Sequence, residues 1–159
     1  MSAQIELEAP RIKDGNPLLI AGLREPVQSV AKIPELWQRA MAYKFPHRVG
    51  RADYGLCFDC MSDNFEYLAG VEVSDFSGLP AELGRTSIPA QKYAVFSHRD
   101  HVSQLSRTIE KIMSDWLPNS AYQLTRTTPE SPDFFERYTE EFNPQTGTGG
   151  IEVWIPVKT

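Results

Sequence analysis

Gly150-Ile151-Glu152-Val153-Trp154-Ile155-Pro156-Val157 is the stretch on which the reading of the fold turns. Ile151, Val153, Ile155 and Val157 alternate with other residues, and a strand sends alternate side chains to opposite faces. The second face carries Glu152 and Trp154 side by side. A carboxylate in an apolar strand is costly when it is buried and unpaired. A cationic ligand lying against Trp154 and paired with Glu152 would offset that cost.

Outward from this closing strand, residues 143–149 form a turn rich in Pro and Gly, and Phe134-Phe135-Glu136-Arg137-Tyr138-Thr139 reads as its neighbouring strand. Before it lies a helix with the apolar stripe Val102, Leu105, Ile109, Ile112, Met113 and Trp116, capped by Asp100 and stopped by Pro118. Residues 92–98 form the strand that feeds this helix, and 85–88 a short strand before it. The same order occurs in the first half. Residues 17–24 form a strand. A helix follows with Ile33, Leu36, Trp37, Ala40 and Met41 at helical spacing and Pro34 in its first turn. Residues 44–52 connect to a strand at 54–59, which turns at 61–64 into another at 65–73. Residues 1–16 are polar, with Ile5 and Leu7 as a short edge strand.

Each half is thus strand, helix, strand, strand. The spans are about 8–73 and 85–158, joined by the linker 74–84 with Gly78, Pro80 and Gly84. The expected fold class is α+β: two such units in one domain over 1–159, forming an antiparallel sheet with two helices over a central ligand cleft.

Composition narrows the function classes. A chain of 159 residues with 41% apolar content supports one core. A net charge of −5 and no basic run argue against direct nucleic-acid binding. No run approaches the roughly 20 apolar residues of a membrane span. The start of the chain lacks a signal-peptide pattern, so a cytoplasmic location is expected.

Two carboxylates and several aromatics carry the candidate chemistry. Glu136 and Tyr138 share one face of their strand, and Phe135 and Arg137 the other. If that face joined Glu152 and Trp154, two carboxylates would be framed by two rings, extended by Tyr67, Tyr54 and Phe96. A cation over an aromatic face gains about 0.5–2 kcal/mol. The alternative is that Glu136 pairs with Arg137 or a lysine at the surface, with Tyr138 and Trp154 as core residues. Cys57-Phe58-Asp59-Cys60 ends a strand rather than opening a helix and has no second ligand pair, so it reads as reduced, inert thiols. His98-Arg99-Asp100 is a strand end and helix cap, not a kinase loop. Gly147-Thr148-Gly149-Gly150 precedes a strand and reads as a hairpin turn, not a phosphate loop. No metal site and no cofactor are expected.

Several runs resemble the effector-binding domain of AraC-type activators and the GyrI-like small-molecule-binding family. They are Ile33-Pro34-Glu35-Leu36-Trp37, residues 89–98, Trp116-Leu117-Pro118, and Phe135-Glu136-Arg137-Tyr138 with residues 151–157. The likeness covers about residues 8–158, and stand-alone members on mobile integron cassettes are especially similar. The resemblance implies a non-catalytic receptor for lipophilic, often cationic compounds. It matches Glu152 to the family's pocket acid and Trp154 to its aromatic, places Tyr138 in the Glu-x-Tyr segment, and extends the pocket to Trp37, Tyr54, Tyr67 and Phe96. No helix-turn-helix unit is legible beside the domain, so sensing in trans for a DNA-binding regulator, or a topoisomerase partner as in gyrase-inhibitory relatives, is the expected link to a partner. A GyrI-like hydrolase using a cleft Glu and Tyr is the enzymatic alternative.

Overall fold

Periodicity of two dominates the chain and builds nine strands, β1 (Arg11–Gly15), β2 (Leu18–Pro26), β3 (Arg48–Phe58), β4 (Glu66–Val73), β5 (Gly84–Ile88), β6 (Gln91–His98), β7 (Gln123–Leu124), β8 (Phe134–Tyr138) and β9 (Ile151–Lys158). The computed structural model describes residues 7–27, 29–60, 65–126 and 128–159. The strand order is β1-β6-β9-β8-β3-β4-β2-β5, with β7 on β9, and every pairing is antiparallel. β2-β3-β4 and β6-β8-β9 occupy mirrored places about the β3–β8 junction. The two outermost strands are exchanged: β1 pairs with β6 and β5 with β2.

Helix α1 (Ile33–Met41) carries Pro34 in its first turn, where a missing N–H costs nothing. Helix α2 (Leu105–Lys111) continues through a π-helical stretch, Ile112–Trp116, and a last turn, Leu117–Asn119. Leu36 and Ala40 from α1 and Leu105 and Ile112 from α2 enter one core with Tyr67, Phe96, Val153 and Ile155. Both helices therefore cover the same face, here the front. The back face has its own core of Ile20, Leu56, Leu68, Ile88, Tyr93, Val95 and Phe135. Strands from both flanks contribute to it, so the sheet curls around it. No described helix is long and apolar enough to cross a membrane.

Local structure departs from the sequence reading at five places. An edge strand forms at Arg11–Gly15; of the expected strand around Ile5 and Leu7, Leu7 is not in a strand and Ile5 lies outside the described residues. Charged residues mask the period of such a polar edge. β3 begins at Arg48, inside the expected connection, because the Arg48 guanidinium satisfies the carbonyls of Gly50, Arg51 and Ala52 across a register break. His101, not Asp100, is the capping residue, and it caps the 3₁₀ turn Val102–Gln104 that leads into α2: its Nδ1 accepts the Ser103 N–H at 3.0 Å. Pro118 sits within the last turn and does not stop the helix ahead of it. β7, two residues long, has too little pattern to read. The expected turn at 61–64 lies outside the described residues.

Candidate functional site

One crosswise row of side-chain positions organises the front face. Leu23, Ala69, Gly55, Glu136, Val153 and Phe96 stand opposite one another on six adjacent strands. Glu136 lies at its middle, where the two halves of the sheet meet. The residue is 7% exposed, and it is the only carboxylate in the buried core among the described residues.

Two tyrosines solvate it. Tyr67, fully buried on β4, donates its hydroxyl to Glu136 Oε1 at 2.7 Å. Tyr138, on β8, donates to the same oxygen at 2.9 Å. Tyr67 reaches Glu136 by crossing the intervening strand above Gly55, whose missing Cβ leaves the path open. A Cβ there would lie 1.9 Å from the Tyr67 hydroxyl oxygen and 3.0 Å from Glu136 Oε1. Trp37 on α1 closes the group. Its indole N–H donates to the Tyr67 hydroxyl at 3.2 Å, and its ring meets Tyr138 edge-on at 5.7 Å. Phe142 also meets Tyr138, edge-on at 5.2 Å.

No ion pair to Glu136 exists among the described residues. Burial pushes its carboxyl above the usual value, and the two phenol hydrogen bonds only partly counter this. Burial and the nearby Glu136 charge likewise hold both tyrosines well above their ordinary range, so they remain donors. The arrangement is a desolvated acid with two fixed donors and an aromatic wall. No His/Cys/Asp/Glu group among the described residues has the makings of a metal site.

Glu152 lies on the opposite face. β8 and β9 pair Arg137 with Glu152 and Glu136 with Val153, so the expected single surface of Glu136, Tyr138, Glu152 and Trp154 does not form. Glu152 accepts hydrogen bonds from Arg137 at 3.1 Å, Arg11 at 2.8 Å and the Trp154 indole at 3.1 Å. Lys13 Nζ lies 5.4 Å from the Trp154 ring. The cation expected against Trp154 and Glu152 is thus supplied by the chain itself, largely from β1. Burial pushes Glu152 up, but the Trp154, Arg137 and Arg11 contacts outweigh it and its carboxyl sits below the usual value. Trp154 stacks on Phe135 at 5.4 Å. Tyr54 is also on the back, accepting from Arg137 at 3.2 Å.

Of the sequence candidates, Glu136, Tyr138, Tyr67 and Trp37 converge. Phe96 shares the front face but sits two strands from Glu136, edge-on to Trp116 at 5.0 Å. Gly55 and Phe142 were missed. A glycine inside a strand often marks a close approach of other atoms, and Gly55 carried that signal.

The folded-state carboxyl of Glu152 is depressed, so its stabilisation is present above the ordinary carboxylate value and is lost as pH falls through the lower one. Glu152→Gln is expected to cost about 1–2 kcal/mol at neutral pH, because half-buried Arg137 loses its charged acceptor. Urea melts of the two proteins check this.

The family described as Cass2, integron-associated effector-binding protein, matches residues 12–157. The transcriptional regulator BrlR of Pseudomonas aeruginosa is 30% identical over 131 residues, 79% of this chain and 46% of BrlR. The chain therefore spans about half the length of that relative. The C-terminal domain of EcmrR superposes with a TM-score of 0.75 at 17% identity, covering 98% of this chain and 99% of that one. SAV2435 bound to tetraphenylphosphonium superposes with a TM-score of 0.67 at 21% identity, covering 97% and 94%. At these identities the two structures share the fold.

Proposed function

Because this chain belongs to the Cass2 family of integron-associated effector-binding proteins, we propose that it is a non-catalytic receptor for lipophilic organic cations, with Glu136 as their counter-charge. One observation carries the reading: Glu136 is a buried carboxylate held by phenols and ringed by Trp37, Tyr138 and Phe142, without a basic partner among the described residues. A buried charge persists when a ligand compensates it. The tetraphenylphosphonium bound by SAV2435 has the matching chemistry. Tyr67 and Tyr138 orient the carboxylate, Trp37 presents a ring face, and the apolar body of the ligand packs on the front-face core. Reading of the ligand state by a DNA-binding regulator, or by another protein, belongs to this same proposal.

Tetraphenylphosphonium and tetraphenylborate have the same shape and opposite charge. Titrated against tryptophan fluorescence, the cation is expected to bind at least about 30-fold tighter, roughly 2 kcal/mol. Equal affinity for both ions removes the carboxylate from the mechanism. Incubation with hydrolysable electrophilic lipophiles separates receptor from hydrolase: a receptor releases them unchanged. Affinity should also fall as pH drops through the raised Glu136 value, with protons released on binding, because only the carboxylate attracts the cation.

A further inference from the structure

We infer that Cys57 and Cys60 are a redox-active dithiol set into the floor of the Glu136 site, and that their disulfide lowers its affinity for cations. This rests on the receptor function proposed above, but its chemistry can be read without ligand.

The two thiols are brought together by the fold. Cys57 is the last front-facing position of β3, standing opposite Tyr67 on one side and Phe134 on the other. Asp59 adopts a positive φ of 54° and turns the chain back. Asp133 then holds both cysteines: its backbone N–H donates to the Cys57 carbonyl at 2.8 Å, and its carboxylate accepts the Cys60 N–H at 2.9 Å. Arg126 pairs with that carboxylate and fixes the clamp. Cys57 belongs to the front-face core, and Cys60 packs against that same cluster. Cys57 is buried and Cys60 is partly open to solvent.

These positions divide the chemistry. Burial, the Cys60 contact and the Glu136 charge hold the Cys57 thiol well above its ordinary range, so it stays protonated. Cys60 is the accessible member and attacks first. With a peroxide as oxidant, Cys60 thiolate displaces hydroxide from the O–O bond and becomes a sulfenic acid. Cys57 sulfur then attacks the Cys60 sulfur. The S–S bond forms, the S–O bond breaks, and the Cys57 proton leaves with the hydroxyl as water. The peroxide has taken two electrons, and a dithiol reductant returns them.

The bond draws the sulfurs to about 2.05 Å. Cys57 moves toward Cys60 and shifts against Tyr67, its cross-strand partner. Cys57 stands opposite Tyr67 on the neighbouring strand, and Tyr67 bonds Glu136, so the site registers the change. Displacement of Tyr67 lengthens its bond to Glu136 and misaligns the counter-charge.

The test compares reduced and peroxide-treated protein, each as wild type and as Cys60→Ser. Intact mass of oxidised wild type should fall by about 2 Da with both thiols lost to alkylation. Tetraphenylphosphonium affinity should then drop at least about fivefold, return with dithiothreitol, and stay unchanged by peroxide in Cys60→Ser. Absence of the intramolecular disulfide overturns the inference, as does a disulfide form of unchanged affinity. If the reduced protein does not bind the cation, the receptor function fails separately. Carbon NMR titration of the Glu136 carboxyl then decides: a midpoint altered by oxidation supports the coupling, and an unaltered one overturns it.

Discussion

Glu136→Gln is expected to bind tetraphenylphosphonium about 100-fold more weakly than wild type, near 3 kcal/mol, while melting at a higher temperature. Glutamine keeps the shape and the acceptor oxygen for Tyr67 and Tyr138. It removes only the charge, and with it the compensation for a desolvated cation. The stability gain has the opposite origin. Burial raises the Glu136 carboxyl in the folded protein, so the folded state binds a proton more readily than the unfolded chain. Its favourable contribution is therefore complete at low pH and is lost as pH rises through the folded value. At neutral pH the ligand-free protein carries that penalty. Its removal should be worth on the order of 1 kcal/mol, roughly 2–4 °C for a chain of this size. Melting curves from pH 4 to 8 check the pair of effects: the wild type should lose more stability across the upper window than the variant. A variant that binds as well as wild type would falsify the counter-charge role of Glu136.

Gly55→Ala should damage both folding and binding through Tyr67. The new methyl would sit 1.9 Å from the Tyr67 hydroxyl oxygen and 2.6 Å from Cζ, so the ring must swing away from Glu136. Overpacking of this kind costs about 1–3 kcal/mol. The lost phenol–carboxylate bond adds about 1.5–3 kcal/mol. Tyr67→Leu removes the colliding atoms, so the second substitution should hurt far less when the first is present. Denaturant melts of the four proteins in this double-mutant cycle should show a coupling of at least about 1 kcal/mol. Additive costs would mean that Gly55 and Tyr67 are independent. Cation affinity of the single Gly55→Ala variant should fall with its stability, because one of the two donors orienting Glu136 has gone.

The residues explain which parts of this molecule were legible beforehand. The Ile151–Val157 alternation and the Trp37 and Trp116 helices are local patterns of period two and 3.6, and they emerged as β9, α1 and α2. The polar edge strand at Arg11–Gly15 was hidden because its side chains carry charge where a buried strand carries methyls. The helix start at His101 depended on a hydrogen bond to Ser103, one residue beyond a plausible Asp cap. In the site, Glu136 and Tyr138 were visible as a pair on one face. Tyr67 was named as a ring that could extend the frame from another strand, Trp37 entered by family likeness, and Gly55 was passed over because its role is to lack a side chain where another strand's tyrosine must cross.

The sequence by itself determined the element order, the alternation along each strand, and the presence of an acid among aromatics in the last two strands of the sheet. All of these are properties of residues a few positions apart. Only the tertiary structure decided which acid faces the helices. β8 and β9 each carry a glutamate, and pairing Arg137 with Glu152 sends that acid to the back while leaving Glu136 on the front. A register one residue different would have exchanged the faces, because strand side chains alternate with a period of two. The same pairing supplied Glu152 with Arg137 and, through β1, with Arg11. It left Glu136 with two phenols and no ion pair among the described residues.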